Sequence, residues 1–167
     1  MHAKIWATTK ETGVTQQKID QAKVMLGVWR MIPYAIKRQD MVVHNTAMLT
    51  FDSYLPAEML AEKVLDQVFR KQDLVSLERR IEDIVNQIPE KFARVLQLYY
   101  KEKQSADAIA EAVECDERTV WRKLAVGLKA FAAEMHKADI NTFTYNQMRR
   151  EHSFIQKEHE RVQSRRD

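Results

Sequence analysis

Turn-forming residues are scarce here, and that constrains the fold most: 167 residues include only three glycines and three prolines. An average protein of this length spends roughly twenty positions on them. Sandwiches and barrels reverse direction roughly every 8 to 12 residues through turns built on such residues. An all-β architecture is therefore excluded, and helices joined by short connections are expected. With 45% hydrophobic and 31% charged residues, the chain is ordinary for a folded protein and long enough to bury roughly two-thirds of its surface.

Apolar spacing sets out the helices. Ile19, Ala22, Leu26, Trp29 and Ile36 follow steps of three, four, three and seven, the seam of an amphipathic helix. Pro33 interrupts this seam and predicts a kink or an end near Ile32. Asp40 to Leu55 has no clean period in Val42, Val43, Thr46, Thr50, Phe51 and Tyr54, and reads equally as a connector, a short helix or an extended segment. Pro56 fits the first position of a further helix, with Glu58 in its first turn. Leu60, Val64 and Val68 follow in one register, then Leu74, Leu77, Ile81, Ile84 and Ile88 in another. One long helix with a stutter at Lys71 to Asp73, or two helices, satisfies the pattern.

After Pro89 three helical pieces are expected: Pro89 to Tyr100, Ser105 to Ala112, and Asp116 to about Lys137, with Ser105 and Asp116 as N-caps. Beyond Asn141, Met148, His152, Ile155, His159 and Val162 share one helical face. That seam either pairs with a second copy, folds back on the N-terminal helices, or is a solvated helix with accidental spacing. Pairing through its two histidines would weaken on acidification.

The net charge of +3 is spread thinly, at +3 for residues 1–55, −2 for 56–87, and +1 each for 88–137 and 138–167. Nucleic-acid binding would therefore need cations placed on one face. The one cysteine, Cys115, has no partner for a disulfide or a structural zinc site, which fits a reducing compartment. Met1 to Thr12 lacks a signal-peptide core, and no stretch approaches the roughly 20 apolar residues of a membrane span. A cytoplasmic protein without membrane contact is expected.

The pair of helices at 105 to about 135 carries the functional signal. In a helix-turn-helix the first helix braces across the DNA backbone and the second places its early residues in the major groove. Stepping 100° per residue from Val120 puts Leu124, Gly127, Leu128 and Phe131 within about 80° of it. Arg118, Arg122 and Lys129 gather on the opposite side. Arg118 and Arg122, one turn apart with Thr119 beside them, are placed to reach guanine edges or flanking phosphates. The plainer reading is that Arg118, Arg122, Lys123 and Lys129 solubilise an exposed face.

At these residues the chain resembles a known family. Ile88-Pro89-Glu90, Arg94-Val95-Leu96, Leu98-Tyr99-Tyr100, Ser105, Ile109-Ala110-Glu111, Val113 and Glu117-Arg118-Thr119-Val120 are similar to region four of bacterial sigma factors, which reads the promoter −35 element. The similarity covers roughly Ile88 to Met135. Nothing upstream resembles the segment that melts the −10 element. The layout, a helical N-terminal part, this helix-turn-helix and a polar C-terminal helix, resembles the ArpU/RinA group of phage and prophage regulators, associated with activating late operons. By position the resemblance implies that Arg118, Thr119, Arg122 and Lys123 approach DNA with Trp121 flanking them. It places Gln104 and Ser105 near the DNA backbone. Trp121, at the edge of the core face, serves either packing or contact. The turn carries Glu114 where such turns commonly have glycine, a costly choice if that position needs positive φ.

Other chemistry finds no residues. His152 and His159, two turns apart, are separated by about 10.5 Å of rise, too far for one metal ion. Phosphate-binding glycine loops, HExxH spacing and a serine nucleophile elbow are absent. Cys115 in a tight turn reads as a small packing residue. The expectation is an all-α, non-enzymatic protein without cofactors. It comprises a helical N-terminal region at 1–87 for oligomerisation or polymerase contact, a DNA-binding helix-turn-helix at 88–137 and a helical tail at 138–167. Its partners would be double-stranded DNA, RNA polymerase and a second copy of itself. The alternative is an adaptor that keeps the helix-turn-helix shape but docks polymerase or another regulator without reading bases.

Overall fold

A computed structural model describes residues 13–48, 55–138 and 140–166. Among the described residues the protein is all-α, with eight α-helices and no strand. These are α1 (Gln16–Trp29), α2 (Ile32–Met48), α3 (Ala57–Gln87), α4 (Glu90–Leu96), α5 (Ala106–Ala112), α6 (Glu117–Lys137), α7 (Thr142–Glu151) and α8 (Ser153–Ser164). A single π-helical turn, Gln97–Lys101, extends α4. No described helix is long and apolar enough to cross a membrane. The chain divides into two compact units, one of α2 with most of α3, the other of α1, the end of α3 and α4 to α8.

In the larger unit α6 is central and packs against α1, α4 and α5. Its Val120, Leu124, Leu128, Phe131 and Met135 form the core stripe that the periodicity predicts. Gly127 lets Leu96 approach, since a Cβ there would lie 3.1 Å from Leu96 Cγ. α1 buries Ala22, Met25, Leu26 and Trp29 against α6 on one side and α8 on another. Full burial of each large apolar side chain contributes about 1.5–3 kcal/mol. This packing does not follow the expected boundaries at 87 and 137. α1 packs between α6 and the tail helix α8, because α1 is apolar on nearly every side and one neighbour cannot cover it.

The tail folds back on α1 through α8, one of the expected alternatives, burying Ile155. It is two helices rather than one, because His152 adopts an extended conformation (φ −125°, ψ 109°) between them. Asp20 of α1 is buried and holds Arg166 in an ion pair of 2.8 Å.

In the smaller unit α2 runs to Met48, so Val42, Val43 and Thr46 are helical; Thr50, Phe51 and Tyr54 lie outside the described residues. Pro33 sits in the first turn of α2, where its missing N–H does no harm. Pro56 stands just before α3 rather than inside it, and its carbonyl accepts the first helical bond from Leu60. α3 is one continuous helix. At the stutter, polar residues occupy the seam: the Gln39 side chain donates to the Gln67 carbonyl at 3.2 Å, and Lys71 pairs with Asp40 at 2.5 Å. α2 buries only Ile32. Tyr34, Met41 and Met48, at heptad spacing on its far side, are 77%, 61% and 58% exposed.

Candidate nucleic-acid interface

Two caps and one strained residue build the site. The Ser105 hydroxyl accepts from the Ala108 N–H at 3.3 Å and starts α5. The Asp116 carboxylate accepts from the Thr119 N–H at 2.8 Å and starts α6. Hydrogen bonds from the side chain and backbone of Thr119, with a smaller effect of the Arg122 charge, hold the Asp116 carboxyl below its ordinary range. The cap therefore stays ionised, which suits the positive end of the α6 dipole.

Between the caps, Glu114 adopts φ +54°, the left-handed conformation that glycine enters freely. It lets the Cys115 N–H reach the Ala110 carbonyl at 3.0 Å and the Glu114 N–H reach that of Glu111 at 3.4 Å. Together these bonds close α5 as a Schellman motif and turn the chain into α6. Cys115 is half-buried in this turn.

Arg118 and Arg122 lie within the first two turns of α6, and both are exposed. Thr119 and Lys123 are half-buried beside them. Among the described residues, neither arginine nor Lys123 or Lys129 forms an ion pair within the chain. Lys129 is further from this cluster than the helical wheel implies. It follows Arg118 by three helical turns and is half-buried, because Ala130, Phe131 and Ala132 around it are all buried. Gln104 donates to Glu102 at 3.0 Å and precedes the exposed cap residue Ser105.

Trp121 is 48% exposed, its indole N–H donates to Glu117 at 3.4 Å, and its ring meets Tyr99 edge-on at 5.9 Å. The π turn makes this contact possible. The Glu102 N–H bonds the Gln97 carbonyl at 3.0 Å, one residue beyond the α-helical spacing, which swings Tyr99 toward Trp121. Tyr100 turns inward, and burial followed by its neighbour Tyr99 raises its hydroxyl pKa.

Sequence reading did not single out Lys103. It is exposed, precedes Gln104, and has φ +54° like Glu114. A lysine in the loop leading into α5 carries no periodic signal. Elsewhere, an open polar cleft lined by Val85, Asn86, Ile88, Glu90, Ala93, Arg94 and Gln97 brings together no nucleophile and base. No group of three metal-ligating side chains occurs among the described residues.

The chain matches no family model, no curated protein and no solved structure.

Proposed function

We propose that this protein is a sequence-specific double-stranded DNA-binding transcriptional regulator, an activator of a phage or prophage late operon that works with RNA polymerase. The observation that carries the reading is the pair Arg118 and Arg122, exposed and without ion-pair partners among the described residues. They stand at the start of a helix held by a capped, hydrogen-bonded turn. Exposed guanidinia one turn apart match the bidentate recognition of guanine O6 and N7 in a major groove. Ser105, Gln104 and Lys103 at the start of α5 supply polar and cationic contacts suited to flanking phosphates.

Selection from a random duplex pool tests the reading. A reader enriches a defined sequence and binds it with a negative slope of log affinity against log salt. Absence of any enriched sequence overturns it. A second reading, an adaptor that docks polymerase without reading bases, is favoured by Trp121. An exposed tryptophan braced on Tyr99 is the kind of aromatic anchor found at protein interfaces. Under that reading Trp121→Ala lowers polymerase binding, and no DNA sequence is enriched by either the variant or the unmodified protein.

A further inference from the structure

We propose that Trp121 reads the methyl group of a thymine in the major groove, close to the guanine met by Arg118. The inference rests on the DNA-reading function proposed above and adds to it a base and a chemistry. At 100° per residue from Val120, Trp121 lies at about 100°, Ala125 at about 140°, Arg118 at about 160° and Arg122 at about 200°. All four are exposed and share one side of the helix. Glu117, the acid of α6 nearest to this sector, falls about 40° outside it.

The indole ring is held in place. Tyr99 meets it edge-on at 5.9 Å, and its N–H, the one polar group it has, donates to Glu117 at 3.4 Å. With that N–H engaged, the ring offers the groove no hydrogen bond. Trp121 nevertheless stays 48% exposed. The next side chain along this side of the helix is Ala125, too small to cover the ring.

What such a ring can recognise follows from the base edges. Guanine, adenine and cytosine present only hydrogen-bonding groups in the major groove, whereas thymine adds an apolar methyl. An indole without a free donor gains by covering the methyl. It loses by covering the other edges, whose donors and acceptors it would strip of water. Position follows as well. Side chains three residues apart on a helix are separated by about 5–6 Å at Cβ, and stacked base pairs by about 3.4 Å. The thymine therefore stands within about two base pairs of the guanine that Arg118 contacts. A duplex fits this sector better than a protein surface does. Its guanine edges and phosphates answer the two guanidinia, which have no ion-pair partner among the described residues, on the same face as the methyl. The exposed acids Asp107, Glu111 and Glu114 belong to α5 and the turn, not to this sector.

Uracil substitution tests the inference, because deoxyuridine is thymidine without the methyl. In the duplex selected by the unmodified protein, each thymine of either strand is replaced in turn by uracil, and affinity is measured at one salt concentration. One replacement, within about two base pairs of the guanine sensitive to Arg118→Ala, is expected to lower affinity about fourfold, the worth of one buried methyl-sized group. Trp121→Ala is expected to bind the thymine duplex at least about fourfold more weakly, and to bind the thymine and uracil duplexes equally. A purely structural role for Trp121 would lower affinity for both duplexes alike and leave the uracil penalty in place, which overturns the proposal. So does a selected sequence whose thymines are all indifferent to the methyl, whether or not Trp121→Ala then weakens polymerase binding; the DNA-reading function survives that outcome. Absence of any selected sequence removes both.

Discussion

Gly27 of α1 lies directly against the carboxylate of Glu158 in α8, so close that a Cβ at position 27 would stand 3.0 Å from Glu158 Cδ and nearer still to Oε1. Glu158 is buried and accepts two hydrogen bonds from the Arg161 guanidinium, one of them at 2.9 Å from Nε. The missing side chain of Gly27 is therefore what lets the tail dock an ion pair on α1. In α1 the alanine alternative would otherwise be favourable, since glycine inside a helix costs about 1 kcal/mol relative to alanine.

The two effects oppose each other, which gives a prediction of sign. Gly27→Ala destabilises the protein by about 1–2 kcal/mol, because displacing a buried carboxylate outweighs the helix gain. In a Glu158→Ala background the same substitution stabilises it by up to about 1 kcal/mol. Urea unfolding of the four proteins checks this, and equal effects in both backgrounds would remove Glu158 as the cause.

Glu114 holds φ +54° in the turn between α5 and α6. A left-handed conformation costs a residue with a Cβ roughly 1–2 kcal/mol, partly offset by the greater chain entropy that glycine loses on folding. Glu114→Gly is expected to raise stability by about 0.5–1 kcal/mol, read from the urea midpoint at unchanged m-value. A lowered midpoint contradicts the left-handed turn.

His159 is placed between two partners that fix its protonation. Its Nδ1 lies 2.8 Å from the Tyr145 hydroxyl, while the Arg149 guanidinium donates to Nε2. A donor at Nε2 leaves the proton on Nδ1, so the ring is neutral. Burial and next the Arg149 charge lower its pKa, against smaller opposing effects of Glu160 and Asp20. The unfolded chain then binds the proton more readily than the folded one. The stabilisation is complete above the unfolded value near 6.5 and is lost as pH falls below it through the lowered folded value. Unfolding measured across this window is expected to show stability falling toward acid, with His159→Gln flattening that part of the profile. An identical profile in the variant counts against the arrangement.

Legibility in the sequence followed the physics of each element. Ser105 and Asp116 were readable as caps because each precedes an apolar-periodic run, and the two faces of α6 because its core residues repeat at helical spacing. The continuity of α3 was obscured because polar residues, Gln67 and Lys71, stand at seam positions; Lys71 pairs with Asp40 and the Gln67 backbone carbonyl accepts from the Gln39 side chain, contacts that hydrophobic periodicity does not register. The break at His152 carries no glycine or proline to mark it. The π turn at Gln97–Lys101 adds one residue to a helical repeat without a sequence signature, so the meeting of Tyr99 and Trp121 had no visible cause. The exposure of Arg118 and Arg122 was legible in outline, whereas the half-burial of Lys129 depends on helices packed around the far end of α6.

The most direct test of the DNA-reading account compares affinities for the selected duplex and for a scrambled one, at one salt concentration, across three variants. Arg118→Ala and Arg122→Ala are each expected to lose about 1–3 kcal/mol of discrimination between the two duplexes. Lys129→Ala, remote from the start of the helix, is expected to leave the ratio unchanged. If both arginine variants keep the discrimination of the unmodified protein, the exposed face of α6 does not read DNA.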